Sequence, residues 1–107
     1  MYNYVMLVGT VESVTEIKVD NGKCVEPCVE LCLGCKRPFK NPDGTYTVDN
    51  IIVSFYDFAA EICITSVREH ETIKVKGRVL PVTPHGRCRI IGERIIFMRS
   101  DNNETNS

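Results

Sequence analysis

Apolar and polar positions alternate with a period of two along most of the chain, the signature of half-buried strands. Residues 3–13 are β-branched and apolar and hold no proline, so they predict a first strand. Asp20-Asn21-Gly22 is a turn signal, because asparagine and glycine enter positive φ cheaply. Val25 to Phe39 predicts a second long strand, with Val29, Leu31, Leu33 and Cys35 on one face. Cys28, Glu30, Cys32, Gly34 and Lys36 take the other. Asn41-Pro42-Asp43-Gly44 marks a further turn. A third strand follows from Tyr46 to Tyr56, with Ile51, Val53 and Phe55 inward and Asn50, Ile52, Ser54 and Tyr56 outward.

The period then changes. Asp57 to about Arg68 has helical character, with Asp57 expected to cap the first turn through its side chain. Phe58, Ile62 and Val67, with Ala59 and Cys63 nearby, form a short apolar stripe at helical spacing. Thr72 to Leu80 returns to alternation: Ile73, Val75, Gly77 and Val79 face the core, and Lys74, Lys76 and Arg78 share the opposite face. Pro81 to Gly86 reads as a tight turn. Arg87 to Met98 is the last strand, and Gly92 within it suggests a bulge or sharp bend. The run that opens at Arg99 is polar. The expected organisation is one domain over 1–99 and a polar disordered tail over 100–107. Five strands with one helix between the third and fourth is the arrangement of an all-β OB barrel.

Composition changes this picture little. A chain of 107 residues, 43% hydrophobic and 25% charged, suits one soluble globular core. It has no apolar run near the roughly 18 residues of a membrane span and no basic-then-apolar secretion signal, so a cytoplasmic location is expected.

Charge changes it more. The net charge is only −1, but residues 1–35 carry −3 and residues 72–99 carry +6. That basic stretch holds Lys74, Lys76, Arg78, Arg87, Arg89, Arg94 and Arg99 against the single acid Glu93. Three like charges on one strand face favour an anionic partner. The bland alternative is a solvated strand face.

Six cysteines raise the question of metal. Cys32-x-x-Cys35 has ligand-like spacing, and Cys24 and Cys28 lie upstream. On a continuous strand, however, residues three apart point to opposite faces, and Cys24, Cys28 and Cys32 stand roughly 13 Å apart in succession by strand rise. Small buried strand residues are the expected role, with no metal and no cofactor. No nucleophile–base pair, carboxylate cluster or phosphate loop suggests an enzyme.

Four segments together resemble the bacterial single-stranded DNA-binding protein family. They are Asn3-Tyr4-Val5-Met6-Leu7-Val8-Gly9; Arg37-Pro38-Phe39-Lys40-Asn41-Pro42-Asp43-Gly44 with Asp49 and Ile51; Tyr56-Asp57-Phe58-Ala59-Ala60-Glu61; and Ile73-Lys74-Val75-Lys76-Gly77-Arg78. They fall in order and at compatible spacing across residues 3–98. The resemblance implies that single strands lie across the sheet with bases stacked on rings and phosphates neutralised by cations. Phe39 and Tyr56 match stacking positions of the family. Lys36, Arg37, Lys40, Lys74, Lys76 and Arg78 would line the backbone path, with Arg87 and Arg89 further along it.

The departures are informative. Asn50 stands where the family has an aromatic residue, His70 stands where it has glycine, and the hairpin between the last two strands is short. The end of the chain lacks the family's acidic, Phe-terminated tip. Weaker DNA binding and no recruitment through such a tip are therefore expected. The chain also resembles primosomal replication protein N, a dimeric accessory factor of the same fold. A replication accessory that acts through proteins and an RNA-binding OB module are the alternatives. The exposed face of Tyr2, Tyr4, Met6 and Val8 suits edge pairing between subunits, so a homodimer or homotetramer is expected.

Overall fold

A computed structural model describes residues 3–20, 25–82 and 86–99, with the side chains of 18–20 and 25–27 outside the description. Five strands and a helix follow one another: β1 (Val5–Asp20), β2 (Val25–Lys36), β3 (Val48–Tyr56), α1 (Asp57–Ser66), β4 (Thr72–Pro81) and β5 (Cys88–Phe97). The strands close into a barrel in the order β1-β2-β3-β5-β4. All neighbours are antiparallel except β3 and β5, which run parallel through Val53–Ile90 and Ser54–Ile91. This is the five-stranded OB barrel that the alternation pattern predicts.

The inward parity holds. Val29, Leu31, Leu33, Val53, Phe55, Ile73 and Val75 are all essentially inaccessible, with Val11 of β1 beside them. Helix α1 packs against β2, β3, β5 and β1 and closes one end of the barrel.

Strand limits differ most from the sequence expectation at the end of β1, the end of β2 and the start of β3. β1 runs to Asp20 rather than ending near Ser13, because it changes partner. Residues Val5–Thr10 pair with β4, and Thr10–Asp20 pair with β2. A register shift between Val11 and Ser13 breaks the alternation, and the charged stretch beyond it is held in the sheet by β2. Away from Thr10, each half of β1 thus has one strand partner, β4 or β2, and Tyr4, Met6 and Val8 are exposed as expected. β2 ends at Lys36 and β3 begins at Val48, so Phe39 and Tyr46 lie in the connecting loop. There the backbone N–H of Arg37 bonds Thr47, and Asn41 and Asp43 hold the turn through Thr45 and Thr47.

The helix also differs. Its N-cap is Tyr56, with no side-chain cap, and Asp57 sits inside the first turn at φ +54°. Asp57 therefore does not cap it. The buried stripe is Ala60, Cys63 and Val67, and Phe58 is 74% exposed. Burial pushes the Cys63 thiol up to about 12, so it behaves as an apolar group. The helix stops at Ser66 because Val67 is already extended while its N–H still bonds Cys63. Ser54 points outward by parity yet is only 1% exposed, covered in its row by Ile91.

Arg99, the last residue of the expected domain, is tied into the fold. Its guanidinium donates two bonds to the Glu71 carboxylate, at 3.0 and 2.9 Å, and one to the Ser66 carbonyl, and it stacks on Phe97. Burial would raise the Glu71 pKa, but the bonds from Arg99 and the Arg68 backbone outweigh it and hold the carboxyl below its ordinary range. Tyr2, Asn21 and Gly22, the 83–85 part of the hairpin turn and the 100–107 tail lie outside the described residues.

Two substitutions test this packing. A Cβ on Gly92 would collide with the Phe55 ring. Gly92→Ala should therefore cost about 1–3 kcal/mol in urea denaturation, with part of the loss recovered when Phe55→Leu is added. His70 holds φ +73° while its N–H bonds the Val11 carbonyl. Glycine enters that region without a Cβ penalty, so His70→Gly should raise stability by about 0.5–1 kcal/mol in the same assay.

Candidate nucleic-acid interface

The outer wall of β4, β5 and β3 gathers most of the basic stripe. Register places Lys74 opposite Ile96, Lys76 opposite Arg94, Arg78 opposite Ile91, and Leu80 opposite Arg89. Between Arg94 and Gly92 the register slips, leaving Glu93 as the extra residue of a bulge. The slip lets Gly92 face the core beneath Gly77 while Arg94 still reaches the outer face. Because β5 runs parallel to β3, its cations lie beside the outer residues of β3, Ile52 and Tyr56 among them.

Two depressions run along this wall. The smaller, about 490 Å³, lies between β2, β3 and the start of β5 and is lined by Glu30, Asn50, Ile52, Arg87 and Arg89. The larger, about 740 Å³, lies where α1 leaves β3 and is lined by Tyr56, Phe58, Ile62, Arg78 and Arg94 over the Gly92 backbone. Tyr56 links them. Its ring lines the larger depression, and its hydroxyl accepts a 3.2 Å bond from Nη1 of Arg89 in the smaller. It is half-buried rather than packed in the core.

The site residues expected from sequence fall into two groups. Tyr56, Lys74, Lys76, Arg78, Arg87 and Arg89 share the wall. Lys36, Arg37, Phe39 and Lys40 lie in or beside the β2–β3 loop, at the end of the barrel where β3 and β5 both begin. Phe39 is 60% exposed there.

Not all of these cations are equally available. Arg37 is held by both carboxylate oxygens of Asp49, at 2.9 and 3.0 Å. That hydrogen bonding raises the arginine pKa and lowers the aspartate pKa, so Arg37 braces the loop rather than standing open to a phosphate. Arg78 is paired with Glu93 at 3.0 Å. Lys76 lies over the Tyr4 ring and Lys36 over Tyr46. Among the described residues, neither Lys74 nor Lys76 has a carboxylate within ion-pair distance.

Two residues of the wall are not assigned to it by the sequence pattern. Arg94 is visible as part of the basic stretch, but its facing depends on the bulge that Gly92 signals. Phe58 occupies a position that helical spacing assigns to the core. Asp57, immediately before it, holds a left-handed backbone conformation that no pattern in the sequence reports.

The cysteines lie as a continuous strand requires, with Cys28 and Cys32 on the outer face of β2 and Cys35 on the inner. Burial, with smaller contributions from Asp49 and Cys32, pushes the Cys35 thiol up. Among the described residues, no cluster of three or more His, Cys, Asp or Glu side chains could hold a metal. Nor is any helix there long and apolar enough to cross a membrane.

No protein-family model and no curated protein matches the chain by sequence. Solved structures do match it by shape. A small single-stranded DNA-binding protein from Streptomyces coelicolor aligns at TM-score 0.60 and 17% identity, covering 89% of this chain and 92% of that one. The single-stranded DNA-binding domain of a Synechococcus protein aligns at 0.64 and 14%, covering 90% and 96%. PriB from Ralstonia solanacearum aligns at 0.66 and 11%, covering 92% and 100%. At such identities the shared property is the OB fold itself.

The Arg78–Glu93 pair is half exposed on both sides, so it contributes at most about 1 kcal/mol. Glu93→Gln should leave the denaturation midpoint nearly unchanged while freeing a cation. Affinity for an oligothymidine, measured by fluorescence anisotropy at low salt, should rise about 2- to 5-fold.

Proposed function

We propose that this protein is a non-enzymatic binder of single-stranded DNA, acting in the cytoplasm in replication, repair or recombination. The observation that carries the reading is the outer wall itself. Five cations of β4 and β5 face outward there with Glu93 as the one carboxylate among them, and the half-exposed ring of Tyr56 stands at their margin. Rings accept any base, because every base has a π face, and cations gain by releasing the counterions that condense on phosphates. Neither effect requires bond-making chemistry. The names of the solved neighbours support the same reading, since they are single-stranded DNA-binding proteins and PriB.

The strand would run along β3. It enters at the β2–β3 loop past Phe39 and Lys40, crosses Ile52 and Arg89, and leaves over Tyr56. Arg87, Lys74, Lys76 and Arg78 hold phosphates on its β5–β4 side. β3 spans nine residues, roughly 30 Å by strand rise, which accommodates the few nucleotides an OB sheet takes. Asn50 supplies no ring on this path, so stacking rests chiefly on Tyr56 and Phe39.

A second reading, as an assembly module that contacts replication proteins, draws on the β1 face. Tyr4 is 54% exposed, and Met6 and Val8 continue its row beside Lys74 and Lys76. That apolar row, beside a β1 edge paired on one side only, is suited to covering by a second copy, giving a homodimer or homotetramer. Sedimentation of Met6→Glu against the parent chain tests it.

Titration of labelled oligothymidine decides the main reading. Binding should weaken with salt at a log–log slope of about −3, as expected when four or five phosphates are neutralised. Tyr56→Ala should weaken it about 5- to 100-fold. No retention at micromolar protein and low salt, or binding indifferent to salt, would refute it.

A further inference from the structure

We infer that the depression between α1 and the β5 bulge is a nucleobase pocket, where a strand bound on the wall turns off the sheet and inserts one base between Tyr56 and Phe58. This rests on the reading of the wall as a DNA surface and adds a site to it.

The pocket combines features that suit a nucleotide. Its walls are Tyr56, Phe58 and Ile62, and its floor includes Ile91 and Gly92 of the β5 bulge. Phe58 is 74% exposed, the most exposed large apolar side chain among the described residues, on a helix that buries Ala60 and Cys63 and leaves Ile64 exposed at 44%. Arg78 and Arg94 stand on the rim, one on each side of the bulge, and Arg94 has no carboxylate within ion-pair distance among the described residues. The cleft is mainly apolar and ring-lined; Asp57 and Glu93 also line it, and Glu93 pairs with Arg78, so Arg94 is the guanidinium placed for the phosphate of a base seated on the rings. Its volume of about 740 Å³ lies in the range of small-molecule sites.

Continuity favours one polymer over a free nucleotide. Tyr56 belongs to the pocket through its ring and to the neighbouring groove through its bond to Arg89, so a strand on the wall reaches the pocket without leaving protein surface. Because Asn50 provides no platform midway along β3, a ring pair at the end of the path would supply a fixed anchor.

Oligothymidines carrying one 5-iododeoxyuridine at successive positions, irradiated on the full chain and mapped by mass spectrometry, test this. Cross-linking is expected at Phe58 or Tyr56. Phe58→Ser removes a ring that is 74% exposed and outside the buried core cluster, and it should weaken binding about 5-fold. Arg94→Gln should make the salt slope shallower by about 0.7.

If both variants bind with the affinity and slope of the parent while Tyr56→Ala is impaired, the pocket is empty of DNA and the wall reading survives. The pocket claim falls equally if Phe58→Ser changes only the sedimentation coefficient, since the cleft then receives a second copy. If the parent itself retains no oligothymidine, both claims fall together.

Discussion

Phe55 is wholly buried, and its ring lies directly beneath the backbone of Gly92, with no room for a side chain between them. Gly77 sits across from Gly92 on β4, equally without room, since a Cβ there would strike the Ile91 carbonyl. This crossing lets β5 pass close over the core and pair with β4 on one side and β3 on the other. The extra residue needed to make that turn, Glu93, shifts the register. The bulge thus does two things at once: it closes the barrel, and it decides which β5 side chains reach the outer wall. The clustering of Arg78, Arg94, Tyr56 and Phe58 around one cleft follows from it.

Electrostatics on the wall are graded rather than uniform. Lys74 and Lys76 are free of carboxylates among the described residues, Arg78 shares its charge with Glu93, and Arg37 is committed to Asp49. Exposed pairs of this kind contribute little to stability but compete directly with a phosphate for the guanidinium. A protein of nearly neutral net charge can therefore still present a basic surface, because its acids lie mostly on other strands and loops.

Much of the fold is legible in the sequence because period-two alternation maps onto burial without long-range knowledge. The inward sets of β2, β3 and β4 can be read residue by residue. Three features cannot, and each has a non-local cause or none that spacing reveals. β1 beyond its bulge is a strand only because β2 pairs with it. Phe58 faces water next to an Asp57 in a left-handed conformation, and nothing in the local spacing announces either. Arg99 is fixed by Glu71 and Ser66, more than 25 residues away in the chain. The cations of the candidate site are visible as a run. Which of them are occupied by acids, and that Arg94 and Phe58 join them, depends on register.

Nucleic acid confined to the β4–β5–β3 wall, and absent from every other face of the barrel, leaves a distinct footprint. Backbone amide chemical-shift mapping with unlabelled oligothymidine reads it directly. Perturbations should concentrate in residues 39–40, 50–58, 74–80 and 87–95, with the outer face of β1 around Ser13, Thr15 and Ile17 silent. Perturbations centred on that silent face, with the wall unchanged, would contradict a wall-bound strand.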